Sequence, residues 1–315
     1  MIKKQEVIKL QKPIRLALIG AGMFVKHMHI PNILKLQEYY KIHCISDLMI
    51  DNAKEVSVLD DQDVDMVLIG TRHDSHAKLT VEAARKGKAV FVEKPIGLTH
   101  NEVDEVIDTI KETKVPYLVG HNRRYAPFIK KAKDIIRDRK NPAIINYRVN
   151  AGYLPPEHWA VNFKIGGGRI IGEGCHMIDV TNYLLDSKVE KYFVESITPA
   201  LGKYSNMDNF TVTMKYMDGS IGTLTYTALG HGKMPKEYIE IFSEGKSIMI
   251  NDYKQFILFD DLKEETEFDQ ILKGHYDQIL DFARFVLGEK NLDVTLDDME
   301  TAARISIDID ANLRK

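Results

Sequence analysis

Residues 16–30 read LALIGAGMFVKHMHI, an apolar run that stops at a glycine and leads into a helical pattern. Gly20 permits a tight turn after the predicted strand, and Gly22 allows a pyrophosphate to approach the backbone. The N-terminus of the following helix adds N–H groups and a favourable dipole. Val25 stands at the third position of the glycine motif, where it affects helix–strand packing more than phosphate contacts. The stretch predicts either a dinucleotide-binding turn or an ordinary strand–helix turn.

Asp47 lies at the end of the second predicted strand, where a carboxylate can accept both hydroxyls of an adenosine ribose. The same charge repels a 2′-phosphate, and residues 47–54 contain no arginine to offset that repulsion. Asp47 is equally suited to cap the N-terminus of a helix. Together the strand, the glycines and the acid favour dinucleotide binding, with NAD preferred over NADP.

Short apolar runs alternate with helical patterns in the first part of the chain. The helix predicted over 99–114 opens on Thr99 with Glu102 three residues later, the spacing of a capping box. This alternation predicts a parallel sheet covered on both faces, and therefore a doubly wound Rossmann domain over residues 1–122. The apolar runs are 14–20, 41–47, 64–70, 88–94 and 115–121.

The pattern changes in the second part of the chain. Beyond residue 143 the predicted strands are longer and alternate apolar with polar residues, and MDGS (217–220) and SEGKS (243–247) are typical of hairpin turns. Such strands predict an antiparallel sheet with one covered face. The second domain, 123–315, is therefore predicted to be α+β, with a large open, mainly antiparallel sheet that serves substrate binding and oligomerisation. Its helices are predicted over 126–139, near 274–288 and over 296–313.

The bulk composition excludes several classes of protein. The chain has 315 residues and a formal net charge of −3, which gives no indication of a nucleic-acid partner. No apolar run approaches the roughly 18 residues of a membrane span, and the N-terminal residues show no secretion signal. The two cysteines, Cys44 and Cys175, suit a reducing cytoplasm better than a disulfide scaffold. The histidines show no spacing typical of zinc ligands, so no metal is predicted.

Lys94 ends a strand-like run in FVEKPIGLT, residues 91–99, and is predicted to lie at the rim of the parallel sheet. Two charges and a proline are poorly suited to extend a strand. They are well suited to present one lysine beside a bound nucleotide. A cation there can stabilise alkoxide-like charge or relay a proton.

The helical stretch 166–185 carries Glu173, His176 and Asp179 three residues apart, which places them on one side of a helix. Histidine titrates near neutrality and can act as the base that takes a hydroxyl proton. A solvated charged face is the alternative interpretation. The triple glycine at 166–168 favours the functional one, because such a run lets backbone pack close to a ligand.

Four side chains are predicted to contact the substrate. Arg123 lies in the basic stretch 121–140, which is typical of a solvated helix face, but its planar fork also suits a phosphate or carboxylate. Trp159 can stack on a sugar, pack in the core or form a lid. His231 lies on a loop between strands and either reaches the substrate or faces solvent. The full set is Arg123, Tyr153, Trp159 and His231.

Three motifs together resemble the glucose–fructose oxidoreductase / inositol dehydrogenase / MocA family over nearly the whole chain. They are EKP at 93–95, GHNRRYAP at 120–127 and GGGRIIGEGCHMIDV at 166–180. The resemblance implies a Rossmann domain, a second domain with an open antiparallel sheet, and sugar, inositol or nucleotide-sugar substrates. It places the family's conserved lysine at Lys94 and its helix histidine at His176, and it implies a cis bond before Pro95.

The resemblance also implies cofactor contacts from the loop TRHDSHA (71–77) and from the residues around Lys94. Together with the glycine loop and the acid, the predicted NAD-binding residues are Gly20, Gly22, Met23, Phe24, Asp47, Thr71, Arg72, His73, His76, Glu93, Lys94 and Asn122.

Two departures from the family pattern bear on the activity. Gly172 stands where the family commonly has an aspartate, four residues before the histidine, so that either Glu173 or water takes the place of that acid. The region between Asp47 and Val64 is shorter than usual, which predicts looser adenine packing.

The leading prediction is an NAD-dependent oxidoreductase that transfers a hydride between a sugar, inositol or nucleotide-sugar hydroxyl and nicotinamide. Lys94, His176, Glu173 and Asp179 are the predicted catalytic set. The alternatives are a non-catalytic NAD(H)- and sugar-binding sensor or partner protein, and a reductase of a keto-sugar. Because an exposed open sheet must be covered, a homodimer or homotetramer is expected.

Overall fold

The computed structural model describes residues 12–47 and 58–315, and the chain folds into two compact units. Unit 1 comprises the residues up to His121 together with His275–Arg304, and unit 2 comprises Asn122–Gly274 together with Ile305–Lys315. The predicted domains, 1–122 and 123–315, are contiguous, whereas these units are not. The stretch that lacks an arginine and the region described as shorter than usual lie mostly within 48–57. The prediction of no secretion signal concerns mainly residues 1–11. Both segments lie outside the described residues.

Unit 1 is built on a five-stranded parallel sheet in the order β2-β1-β3-β4-β5. Every residue of β3 and β4 is buried, as expected for strands that are covered on both faces. The strands are β1 (Ile14–Ile19), β2 (Tyr40–Ser46), β3 (Met66–Ile69), β4 (Ala89–Val92) and β5 (Tyr117–Val119). The predicted parallel sheet is thus confirmed.

The helices of unit 1 begin where the sequence indicates. A π-helical turn, Val25–His29, follows the glycine loop and continues into α1 (Ile30–Lys35), and α2 spans His76–Arg85. Helix α3 (His100–Thr113) has the predicted capping box. The Glu102 N–H donates to Thr99 Oγ1 at 3.3 Å, and the Thr99 N–H donates to the Glu102 carboxylate at 3.0 Å.

Unit 2 contains an eight-stranded sheet in the order β13-β12-β11-β10-β6-β9-β8-β7. Strands β6 and β9 pair in parallel and the other neighbours are antiparallel, which confirms the predicted mainly antiparallel sheet. The strands are β6 (Ile144–Asn150), β7 (Val189–Ser196), β8 (Phe210–Tyr216), β9 (Ile221–Thr227), β10 (Glu237–Ser243), β11 (Lys246–Asn251), β12 (Gln255–Phe259) and β13 (Lys263–Glu267).

One face of this sheet is covered and the other is open. In β6, Ile145, Tyr147 and Val149 are buried, whereas Ile144 on the opposite face is exposed. Two α-helices lie wholly within this unit, α4 (Pro127–Ile136) and α5 (Cys175–Leu185). The helix predicted over 166–185 is shorter than expected, because Ile170–Gly174 forms a π-helical turn before α5.

Two helices close the chain, α6 (His275–Val286) and α7 (Leu296–Leu313), as predicted. Helix α6 belongs to unit 1, where the Gln278 side chain donates to the Val119 carbonyl at 2.8 Å and the Tyr40 hydroxyl donates to the Ile279 carbonyl at 2.9 Å. No helix within 12–47 and 58–315 is both long and apolar enough to cross a membrane.

Candidate active site

The carboxyl ends of the parallel strands gather several predicted site residues on one edge of the unit 1 sheet. Gly20 follows β1 and Asp47 follows β2. Thr71 lies two residues beyond the end of β3, and Lys94 lies two residues beyond the end of β4. Strands β1 and β3 are neighbours, while β2 lies on the other side of β1. The strand order therefore reverses beside Gly20, and such a switch point is where open α/β sheets bind ligands.

The glycine loop has the geometry of a phosphate cradle. Gly20 has a φ of +84°, and a Cβ at this position would lie 2.7 Å from the Thr71 backbone nitrogen, so no larger residue fits. A Cβ at Gly22 would meet no atom of the described residues within 4 Å, which leaves open space over the backbone. Met23 and Phe24 are exposed beside it. These residues fit a pyrophosphate, because the first-turn N–H groups of a helix have no intrahelical acceptors.

Asp47 is anchored against this loop. The Ala21 N–H donates to Asp47 Oδ2 at 2.6 Å, which fixes the carboxylate beside the glycine turn and at the end of β2. A carboxylate held there fits the two ribose hydroxyls of an adenosine. The alternative role as a helix cap concerns residues in 48–57, outside the described part of the chain.

The loop after β3 carries four predicted cofactor contacts, which the structure divides by exposure. Thr71 is partly exposed, with its hydroxyl 2.6 Å from Ser75 Oγ, and Arg72 is exposed. His73 and His76 are buried. Their rings therefore face the protein interior and not the exposed surface of the loop.

The residues at the end of β4 point in different directions. Lys94 is partly exposed, and the peptide bond to Pro95 is cis, as predicted. Glu93 is buried, and its Oε1 lies 2.6 Å from His29 Nε2. Burial opposes ionisation of Glu93, but the hydrogen bond from His29 and the nearby charge of Lys94 outweigh it and lower the pKa to about 2.

In unit 2, Glu173 lies in the π-helical turn before α5 and is held by three side chains. The Lys236 ammonium and the Tyr226 hydroxyl both donate to its carboxylate, and the Arg169 guanidinium lies 3.7 Å away. Burial opposes ionisation of Glu173, but the charges of Lys236 and Arg169 outweigh it and lower the pKa to about 2. Glu173 is therefore ionised throughout the neutral range.

Helix α5 carries His176 and Asp179, both of which are buried. Asp179 is bound by both arms of the Arg124 guanidinium, with Arg124 Nε 2.9 Å from Oδ2. Gly172 is buried in the π-helical turn. The acids that accompany His176 in the sequence thus lie in ion pairs with cations of the same unit.

Asn122 and Arg123, at the start of unit 2, are also engaged within it. The Asn122 side-chain amide donates to the Lys273 carbonyl at 2.7 Å. The Arg123 guanidinium grips the buried Glu237 with both arms, at 2.8 and 2.9 Å. The planar fork predicted to bind a substrate anion therefore binds a protein carboxylate.

The other three predicted substrate contacts are more accessible. Tyr153 is exposed and packs edge-on against Tyr204, with 6.0 Å between the ring centroids. Trp159 is partly exposed and stacks with its neighbour His158 at 5.9 Å. His231 is exposed, and its Nδ1 accepts from the Lys233 N–H at 3.2 Å.

The residues that hold Glu173 were not predicted from the sequence. Arg169 precedes Glu173 by four residues, a helical spacing that could have indicated the pair. Tyr226 and Lys236 are more than fifty residues away in the chain, at 53 and 63 residues from Glu173, so no local pattern connects them. Within the described ranges, no group of three or more histidine, cysteine, aspartate or glutamate side chains is arranged to hold a metal ion.

Comparison with known proteins agrees with this geometry. Residues 14–121 match the family model described as oxidoreductase family, NAD-binding Rossmann fold, and residues 129–249 match the GFO/IDH/MocA C-terminal domain. Myo-inositol 2-dehydrogenase of Thermotoga maritima is 25% identical over 67% of this chain and 67% of its own length.

Two solved structures share the fold. An oxidoreductase domain protein from Kribbella flavida superposes with a TM-score of 0.83 at 16% identity, covering 97% of this chain and 98% of its own. A levoglucosan dehydrogenase in complex with NADH and levoglucosan has a TM-score of 0.79 at 19% identity, covering 95% and 98%. One family match lies in each unit, and together the matches confirm the predicted family, fold class and cofactor class. The chain belongs to the glucose–fructose oxidoreductase / inositol dehydrogenase / MocA family of NAD-binding oxidoreductases.

Proposed function

We propose that the protein is an NAD-dependent dehydrogenase of a sugar, an inositol or a nucleotide sugar, acting on a secondary hydroxyl. The observation that carries the proposal is the shared sheet edge, which brings the glycine loop, Asp47 and Lys94 to the carboxyl ends of β1, β2 and β4. When bound there, nicotinamide supplies the acceptor for a hydride. The relatives named for myo-inositol and levoglucosan are dehydrogenases of polyhydroxylated rings, and we extend this substrate class to the present chain.

The cofactor is held, in this proposal, by the backbone of residues 20–24 and by Asp47. Gly22 leaves open space beside its Cα for a pyrophosphate, and the carboxylate fixed by Ala21 accepts the ribose hydroxyls. Because a second negative charge beside Asp47 is repelled, the site prefers NAD to NADP. Thr71, partly exposed, and Arg72, exposed, are further contacts from the neighbouring loop.

Lys94 and His176 divide the proton chemistry. His176 accepts a hydroxyl proton, and the Lys94 ammonium stabilises alkoxide-like negative charge or relays a proton. These assignments rest on the resemblance of EKP and of the α5 histidine to the family motifs, and both lie within the residues that the family models match.

Glu173 and Asp179 are both held in ion pairs within unit 2. The charges of Lys236 and Arg169 lower the pKa of Glu173 to about 2, and Asp179 is bound by both arms of Arg124. We assign them the role of holding the turn that precedes His176 and of orienting the helix that carries it. Substrate contacts are assigned to the accessible side chains Tyr153, Trp159 and His231.

The activity test uses purified protein, NAD and a panel of sugars, inositols and nucleotide sugars, with the absorbance of reduced nicotinamide as the readout. Lys94→Met should lower turnover by about 10²–10⁴-fold and leave the dissociation constant for NAD within roughly threefold. Lys78→Met, which removes an exposed lysine of α2 in the same unit, should leave both values unchanged. Unchanged turnover in Lys94→Met would remove this lysine from the mechanism.

The same panel separates two further activities. Gly172 in place of the family acid, together with the permanently ionised Glu173, favours a protein that binds NAD(H) and a sugar without turnover. Thermal stabilisation by a panel member without reduction of NAD would support that binder. Oxidation of NADH by a keto-sugar, without the reverse reaction, would identify a reductase that uses the same residues.

We further propose that the open face of the unit 2 sheet is covered by a second copy of the chain, giving a homodimer or homotetramer. Cross-strand pairing aligns Ile144, Phe242 and Phe259 on this face, through Ser247 on β11. Phe193, on the same face of the edge strand β7, is 69% exposed. Apolar rings on an open sheet are typical of an interface between protein chains.

The mass in solution tests this assembly. Light scattering after size exclusion should give a multiple of the 36.0 kDa chain mass. Phe242→Glu places a charge in the middle of the face and should yield the monomer, whereas Leu201→Glu, at an exposed loop residue outside the sheet, should leave the mass unchanged. A monomeric wild-type protein would refute the proposal.

A cytoplasmic location is the last part of the proposal. Cys44 is partly exposed and Cys175 is buried, and thiols of this kind persist in a reducing compartment. Fractionation of cells that express the protein, probed with an antibody, should recover it in the cytoplasmic fraction, and recovery from another compartment would contradict this part.

A further inference from the structure

Two buried histidines contact the residues on either side of Lys94. His29, on the turn after the glycine loop, is 1% exposed and lies with Nε2 2.6 Å from the Glu93 carboxylate. His76, at the start of α2, is 0% exposed and lies with Nδ1 2.9 Å from the Pro95 carbonyl oxygen. The residue before Lys94 and the residue after it are therefore each held by an imidazole from a different helix of unit 1.

Other residues pack around the hydrogen bond between His29 and Glu93. The His29 ring is packed edge-on against Phe24 and Phe91, with centroid separations of 5.3 and 5.5 Å. The Glu93 carboxylate lies against the backbone of Gly120, where an added Cβ would come within 2.8 Å of Oε1. Because Glu93 accepts the hydrogen bond as a carboxylate, His29 donates it from Nε2. The carboxylate has little room to take another position.

The contact with Pro95 is made by the second histidine, His76. Burial lowers the pKa of His76, while its contacts with the Pro95 and Thr71 carbonyls oppose that effect. The shorter contact, 2.9 Å from Nδ1 to the Pro95 carbonyl oxygen, joins the ring to the residue after Lys94. The longer contact, 3.2 Å from Nε2 to the Thr71 carbonyl, places the ring between the loops after β3 and β4.

We propose that His29 and His76 are positioning residues for Lys94, which fix the backbone on both sides of the lysine so that its ammonium reaches one place. A lysine side chain has four rotatable bonds, so its reach is defined only if its backbone is defined. Displacement of a reacting group by about 1 Å can cost roughly 10²-fold in rate. This inference rests on the catalytic role proposed for Lys94.

The test combines a local structural readout with turnover, using the full-length protein. His29→Leu removes the hydrogen bond to Glu93, and His76→Leu removes the contact with the Pro95 carbonyl. His29→Gln keeps an amide that can still donate to Glu93. Val106→Ala, in the buried face of α3, is the matched control, because truncating a buried side chain of another element should destabilise unit 1 as a whole. Glu93→Met, which removes the acceptor at a similar side-chain volume, replaces His29→Leu if that variant does not fold.

Amide hydrogen exchange of residues 93–96 is measured first, because it needs neither substrate nor cofactor. Each leucine variant should raise exchange in this segment by about tenfold and leave β5 unchanged, and His29→Gln should restore most of the protection. In Val106→Ala any increase should spread across unit 1. Unchanged exchange at 93–96 in both leucine variants would overturn the inference, whatever the turnover.

Turnover on the best panel substrate then separates this inference from the proposed function. His29→Leu should lower turnover by about 10–100-fold at nearly unchanged NAD affinity, whereas Val106→Ala should retain turnover. A large loss in Lys94→Met with full turnover in both leucine variants would refute the positioning role and leave the proposed function intact. Full turnover in Lys94→Met would refute both.

Discussion

Glu237 is the most heavily bonded acid of unit 2, and its neutralisation is the sharpest test of how that unit is held together. The side chain is 0% exposed at the start of β10. It accepts both arms of Arg123, the Lys273 ammonium at 2.6 Å and the Tyr147 hydroxyl at 2.6 Å. Burial opposes ionisation of Glu237, but Arg123 and Lys273 outweigh it and lower the pKa well below its ordinary value. The carboxylate thus joins residues from the two ends of the segment Asn122–Gly274.

Glu237→Gln keeps the shape of the side chain and removes its charge. The buried guanidinium of Arg123 and the largely buried ammonium of Lys273 then lose their shared counter-charge. Removing one partner of a buried ion pair costs about 3–5 kcal/mol. For a unit of this size each kcal/mol lowers the melting temperature by roughly 2–4 °C, so we expect a fall of about 6–20 °C.

The assay is thermal unfolding followed by circular dichroism, with the lowest transition compared between variants. Glu265→Gln is the matched control, because it removes the charge of an exposed acid that pairs with the exposed Lys263 on β13 of the same sheet. Pairs of that kind contribute little, so the control should melt with the wild type. If Glu237→Gln shifts the transition no further than the control does, the cluster does not stabilise unit 2 and the reasoning is refuted.

Three further predictions concern the glycine loop of unit 1 and the buried acids. Gly20→Ala should destabilise the protein by about 1–3 kcal/mol in urea unfolding, because of the φ of +84° and the adjacent backbone. Gly22→Ala should leave unfolding unchanged and weaken NAD binding in calorimetry by about tenfold or more, the equivalent of one charge-assisted hydrogen bond; unaltered NAD affinity would contradict the assigned cradle. Glu93 and Glu173 each have a pKa lowered from 4.5 to about 2, so each stabilises the fold above pH 4.5 and loses that contribution as the pH falls toward 2. The unfolding free energy should therefore fall by about 3 kcal/mol per carboxylate over this range, and a Glu93→Gln/Glu173→Gln variant should show a flatter pH dependence.

The parallel sheet and its functional edge could be predicted because their signals are local. Each central strand is buried on both faces, so it reads as an unbroken apolar run, and the residue that ends the run is the one brought to the carboxyl edge. Gly20 and Lys94 were found in this way, and Asp47 was found as the acid that ends the run of the edge strand β2. The capping box at Thr99 is equally local, since both of its partners lie within one turn.

The remaining features depend on contacts between residues that are distant in the chain. Arg124 and Asp179 are 55 residues apart, and Arg123 and Glu237 are 114 apart. The sequence therefore showed these charged residues but not which of them form pairs. Strand β13, Lys263–Glu267, was not predicted because it is polar on both faces. It lies at the edge of the sheet, where charged residues discourage pairing with another chain.

The sequence EKP shows why a strand can end on a buried charge. Successive side chains of an extended segment point to opposite sides, so if Lys94 faces outward at the end of β4, Glu93 is directed inward. An isolated carboxylate in that position would be costly, and its burial requires a donor. That donor is His29, nine residues after Gly20. The helix that follows the glycine loop therefore supplies the hydrogen bond that offsets the cost of burying the Glu93 carboxylate. The glycine loop and the lysine segment are therefore physically coupled through one hydrogen bond, and a chain that lost His29 would be expected to replace Glu93 as well.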